Sequence, residues 1–83
     1  MYREADGTTA LPFVTDRCTV EYELDDGTVG AVVIRPAFQP GAATPGSPWG
    51  SALIGKPRGA PFEVKIMTRP WRILNGTITD ITH

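Results

Sequence analysis

A helix in this chain has room for about two turns and no more. The run Ser47-Pro48-Trp49-Gly50-Ser51-Ala52-Leu53-Ile54-Gly55-Lys56 carries the signals for both of its ends. Ser47 reads as the N-cap, since its hydroxyl can accept a bond from an orphaned amide of the first turn, worth about 1 kcal/mol. Pro48 falls at the first helical position, where a missing N–H costs nothing and the fixed φ is already helical. Gly55 stands where a left-handed C′ residue is wanted, and Lys56 follows at the negative end of the dipole. Trp49, Ala52 and Leu53 share a face at i, i+3 and i+4. So short a helix is not stable alone and must lean on a sheet.

The flanking sequence supplies that sheet. Over Arg17–Leu24, Cys18, Val20, Tyr22 and Leu24 alternate with Thr19, Glu21 and Glu23, the two-residue period of a half-buried antiparallel strand. Asp25-Asp26-Gly27-Thr28 is hairpin chemistry, because Asp-Gly tolerates the positive φ of a tight turn. The returning strand, Val29 to Ile34, is apolar on both faces and is predicted to be central, with a helix or loop over its second face. Arg35 to Gly46 holds Pro36, Pro40, Gly41, Pro45 and Gly46 and reads as a long loop, with Phe38 expected to pin it to the core. Beyond the helix and the turn Lys56–Pro61, Phe62, Val64 and Ile66 alternate with Glu63 and Lys65 as a third strand. Trp71, Ile73, Ile78 and Ile81 form a last one whose parity changes near Asn75-Gly76. A bulge there or a second Asn-Gly hairpin accounts for the change. Leu11, Phe13 and Val14 add an edge strand or cover the sheet, with Pro12 forbidding a central place. Met1 to Ala10 has no periodicity and is expected to fray.

The predicted fold class is therefore α+β: a twisted antiparallel sheet with one short helix packed on it. Residues 1–15 are a flexible or edge N-terminal segment, and residues 16–83 are the domain. With 83 residues the core is small. No apolar run approaches the roughly 20 residues of a membrane span, and a lone Cys18 makes no internal disulfide, so the expected setting is cytoplasmic and reducing. Charge is uneven. Residues 1–30 carry two basic and seven acidic side chains, net −5, whereas residues 31–83 carry six and two, net +4. Either this is an ordinary mixed surface after folding, or the basic side meets an acidic partner or a phosphate backbone. With a sequence pI near 5.7, free non-specific DNA or RNA binding is expected to be weak.

The sequence carries no catalytic or metal-binding constellation. The only histidine, His83, is the last residue and has no orienting partner in sequence reach. Cys18 falls on the apolar face of its strand and reads as a core residue, not a nucleophile. Asp25-Asp26 reads as turn chemistry ahead of a divalent-ion site. No ligand spacing or phosphate-binding glycine loop appears. The expectation is a binding module without enzymatic activity, cofactor or metal.

The run Ser47–Lys56, with Gly59 and the strand Phe62-Glu63-Val64-Lys65-Ile66 after it, resembles the C-terminal domain of the bacterial transcript-cleavage factors GreA and GreB. The shared pattern is Ser-Pro, two residues, a small or basic residue, then Ala-Leu-Ile-Gly-Lys. Regulators of nucleoside diphosphate kinase carry a similar domain. The resemblance spans roughly Asp16 to Ile81, its specific part being Ser47–Lys56. It implies the fold of the FK506-binding proteins (FKBP-like). It also implies that Ser47 and Pro48 contact the coiled coil at the rim of the secondary channel of RNA polymerase, with Gly46, Trp49 and Lys56 completing the contact.

Three departures qualify what is carried over. Gly46 stands where those factors have Asp or Asn. Trp49 replaces an aliphatic residue, as core filler or as an exposed anchor. Ahead of Arg17 there is no counterpart of the helical hairpin that delivers Mg²⁺, so transcript cleavage is not carried over. The function implied is an RNA polymerase-binding transcription elongation regulator, acting as a monomer. The alternatives are a prolyl isomerase of the FK506-binding type, with Tyr22, Phe38, Trp49, Phe62 and Trp71 lining a pocket, or a small module binding nucleic acid directly.

Overall fold

The computed structural model describes residues 10–83. Five strands and one helix follow in the order β1 (Cys18–Leu24), β2 (Val29–Ile34), β3 (Ala42–Ala43), α1 (Pro48–Leu53), β4 (Pro61–Ile66) and β5 (Arg72–Thr82). They form a single sheet in the order β3-β2-β1-β5-β4, so the architecture is α+β. The sheet is mixed, not wholly antiparallel. The two-residue β3 runs parallel to β2, with Ala42 opposite Val33 and Ala43 opposite Ile34. A parallel neighbour requires the chain to travel back before pairing, and the long loop after β2 is that return. Gly41, at φ 80°, turns it into β3.

The first hairpin follows its chemistry. Gly27 sits at φ 91°, its N–H donates to the Leu24 carbonyl at 2.9 Å, and Leu24 N donates to Thr28 O at 2.7 Å. That is a three-residue loop with a left-handed glycine closing it. On β1, Cys18 and Val20 are fully buried while Glu21 and Glu23 are exposed, as the alternation requires.

Strand β2 is not central; β1 is, and β2 has only the short β3 outside it. Its second face is uncovered, with Val29 at 73% exposure and Ala31 exposed too. Apolar residues on both faces predict burial of both only where something is available to cover them, and the one helix lies on the other side of the sheet. Phe38 is likewise 81% exposed, so it does not pin the loop.

Strand β5 runs unbroken through Asn75-Gly76, which rules out a second hairpin there. The bulge lies further along, where Asp80 opposes Glu21 and Ile78 opposes Tyr22, leaving Thr79 as the extra residue. Leu74, Gly76 and Ile78 therefore share the inner face, Ile81 rejoins it past the bulge, and Trp71 and Ile73 are outside. Gly76 is demanded by close approach: a Cβ there would stand 2.6 Å from the Glu23 carbonyl oxygen and 3.0 Å from the Phe62 ring.

The core is one cluster: Val14, Cys18, Val20, Ile34, Leu53, Phe62, Val64, Ile78 and Ile81, with Trp49, Tyr22 and Leu74 packed against it. Cys18 is wholly buried, and its thiol donates to Thr15 O at 3.3 Å. The segment before β1 straps the two ends of the fold together. Leu11 N donates to Ile81 O at 2.9 Å, Val14 N to Lys56 O at 3.0 Å, and Gly55 N to Val14 O at 2.9 Å. Ala10 bridges Thr82, and the rest of the stretch expected to fray lies outside the described residues. Among the described residues no helix is long and apolar enough to cross a membrane.

Candidate docking surface at the start of the helix

The cap is built as its residues dictate. Ser47 is extended, at φ −74° and ψ 164°, and its Oγ accepts from Gly50 N at 3.1 Å. The same hydroxyl donates to Thr44 O at 2.7 Å, and Ser47 N donates to that carbonyl at 3.0 Å. Ser47 is thus held from both sides, and the Pro48 ring that follows is pointed by it. Pro48 opens the helix and is exposed, as is Gly46 before it. Two features fix this tip, the cap bonds and the fixed φ of proline, so little freedom is left to lose on docking.

The other expected contact residues lie elsewhere. Trp49 turns inward: its ring centroid is 5.0 Å from that of Tyr22 and 5.9 Å from that of Phe62, and Tyr22 and Phe62 stand 5.9 Å apart edge to face. It is half-buried and fills the space between helix and sheet. Lys56 is at the opposite end. The helix stops at Leu53, with Ile54 as C-cap at φ −58°, ψ 133° and Gly55 at φ 89°, a type II turn that Lys56 N closes on Leu53 O at 3.1 Å. Lys56 therefore lies beyond the last turn, roughly 9 Å of helix from Pro48.

Gly46, Ser47 and Pro48 come together; Trp49 supports them from behind, and Lys56 does not join them. What sequence reasoning missed is the wall beside the tip. Pro48, Ser51 and Ala52 on the helix face Glu63 and Lys65 on β4 across a shallow groove of about 250 Å³. Ser51 was visible three residues on from the proline, but no local signal names β4 as the strand under it. Gly50 was missed as well. It is buried, and the Thr44 carbonyl lies where its side chain would be.

The aromatic residues expected of an isomerase pocket do not assemble. Tyr22, Trp49 and Phe62 close on one another, while Phe38 and Trp71 are 81% and 67% exposed and pair with none of them. His83 shares a cleft of about 560 Å³ with Arg17, Arg35, Pro36, Ala37 and Gln39. Arg35 is anchored there by a bond from Nη1 to Ile34 O at 2.8 Å. Among the described residues no three His, Cys, Asp or Glu side chains are placed to hold a metal. In the first hairpin turn the Asp26 carboxylate accepts from Thr28 N at 2.9 Å and is held below its ordinary 3.8 by that bond.

Comparison with known proteins finds no match to this chain, whether among protein-family models, curated proteins or solved structures.

Proposed function

We propose that this chain is a docking module for bacterial RNA polymerase, a regulator of transcription without transcript-cleavage activity. The observation that carries it is the exposed Pro48 at the start of α1, braced by the double-bonded Ser47. It is supported by the resemblance of Ser47–Lys56 to the tip with which the GreA and GreB C-terminal domain meets the coiled coil at the secondary-channel rim. The finer likeness to the FK506-binding fold belongs to the same proposal. Occupying that rim excludes other factors that enter the channel, a way to regulate transcription that needs no cleavage chemistry. The isomerase alternative loses support because its five aromatic residues do not line one pocket.

The chemistry of the contact is apolar and local. An exposed proline ring offers buried area without an N–H to satisfy, and Gly46 lets a partner approach the backbone beside it. Pull-down of RNA polymerase from a bacterial lysate on the immobilised chain tests this directly. Pro48→Ala is expected to lower recovery about tenfold, since an anchor at an interface centre is worth more than 1 kcal/mol. Equal recovery with the wild type and with a folded Pro48→Ala/Ser47→Ala variant would remove the reading.

A further inference from the structure

We propose that the outer end of the β4–β5 hairpin is a separate peptide-binding site, taking an extended acidic segment that carries a large apolar side chain. This stands apart from the polymerase reading and from Pro48. It starts from the register. Strand β1 ends at Leu24 opposite Gly76, and one further bond, Asp25 N to Asn75 O at 2.9 Å, ends the contact. Beyond it, Arg72, Ile73 and Leu74 pair with Ile66, Lys65 and Val64, and among the described residues on that one side only. Main-chain groups of alternate strand residues point the same way, so Ile73 turns its N–H and C=O toward the open side, as Asn75 does. An unpaired strand edge of this kind is a template for another strand.

The side chains around that edge select what is added. Met67, Trp71 and Ile73 are 58%, 67% and 58% exposed, and with Ile66 they wall a cleft of about 460 Å³. The parity of β5 puts Trp71 and Ile73 on the face away from the core, so folding makes no use of them. Lys65 and Arg72 rim the cleft, and Arg69 stands in the turn between the strands. Arg69 and Arg72 have no carboxylate partner among the described residues, and Lys65 has only Glu63 at 3.9 Å. Unpaired cations around an apolar cleft call for carboxylates flanking an apolar side chain.

The register is limited at the other end, because Asp25 and Asp26 border Ile73, Leu74 and Asn75. The acidic residues of the ligand therefore lie toward Arg69 and Arg72, away from the Asp25-Asp26 turn. A single-stranded nucleic acid fits less well. The cleft has one aromatic ring among aliphatic walls, and a strand edge offers peptide groups that a phosphodiester chain cannot match.

The probe is a fluorescein-labelled octapeptide alternating glutamate with leucine, titrated with the purified chain and read by anisotropy. An octapeptide alternating lysine with leucine and an eight-nucleotide oligouridylate are the comparison arms. Saturable binding of the acidic peptide is expected, weakened about tenfold by Trp71→Ala and by Arg69→Glu/Arg72→Glu, and unchanged by Pro48→Ala. Ile73→Pro, which removes the outward N–H together with one side chain of the cleft wall, is expected to weaken it severalfold with the fold intact. Amide resonances of Lys65–Ile73 in the unsubstituted chain shift on addition of the acidic peptide, a readout that needs no variant. No saturation, shifts confined to other residues, equal binding of the lysine peptide, or Trp71-dependent binding of oligouridylate in place of the peptide would each overturn the proposal.

Discussion

Replacing Gly50 by alanine inverts the usual rule for a helix interior. Gly→Ala there ordinarily adds up to about 1 kcal/mol of stability. At this position the new Cβ would fall on the Thr44 carbonyl oxygen, 2.8 Å from the carbonyl carbon and 2.9 Å from Pro45 Cα. All are main-chain atoms, so no side chain can swing aside. That carbonyl accepts both Ser47 N and Ser47 Oγ, and moving it breaks two bonds of about 1 kcal/mol each. Residual overpacking adds about 1–3 kcal/mol. Set against the propensity gain, the net loss is about 2–4 kcal/mol. In a domain of this size that lowers Tm by on the order of 10–30 °C. Thermal and urea unfolding followed by far-UV circular dichroism measure it. Gly46→Ala is the control: nothing stands within 4 Å of its Cβ, its φ is not positive, and a change within about 0.5 kcal/mol is expected. A Gly50→Ala chain melting at or above the wild type would refute the account of how loop and helix meet.

Ser47→Ala removes the acceptor for Gly50 N and the donor to Thr44 O; a loss of about 1–2 kcal/mol is expected in the same melts, and a neutral result means the cap is dispensable. Asp26 is ionised more readily in the folded chain than its ordinary 3.8 because of its bonds to Thr28, so it favours folding above that pH. The contribution fades as the pH falls through the lowered pKa. A carboxyl-carbon NMR titration is expected to place Asp26 below 3.8, and Thr28→Pro, which deletes the donor, to return it upward.

The parts of this fold that were readable are those with local causes. The Asp25-Asp26-Gly27 turn, the alternation on β1 and the caps Ser47, Pro48 and Gly55 each follow from a few neighbouring residues. What was not readable depends on distant ones. Val29–Ile34 has apolar residues on both faces, but whether the second face is covered depends on where the single helix lies. The odd step between Ile78 and Ile81 looks identical to one between Ile73 and Ile78 until β1 fixes which residue is left unpaired. Trp71 and Phe38 carry no mark that distinguishes a surface aromatic from a core one. At the docking tip the cap was visible and the opposing β4 wall was not, because Glu63 and Lys65 read only as the polar side of a strand. A glycine in mid-helix, Gly50, was the one unused clue that another backbone lay against it.

Strand β5 has neighbours from both halves of the chain, β1 on one side and β4 on the other. Thr19 lies opposite Thr82, so this seam joins stretches made far apart in synthesis. Until the ribosome has added Thr82, β1 stands as a raw border and Val20 has no Ile81 across from it. The nascent polypeptide must therefore wait, sticky and half-assembled, for this far-off strand to slot in like the slider of a zip. Folding of this kind is slow for its size, and its vulnerability falls before completion, not after.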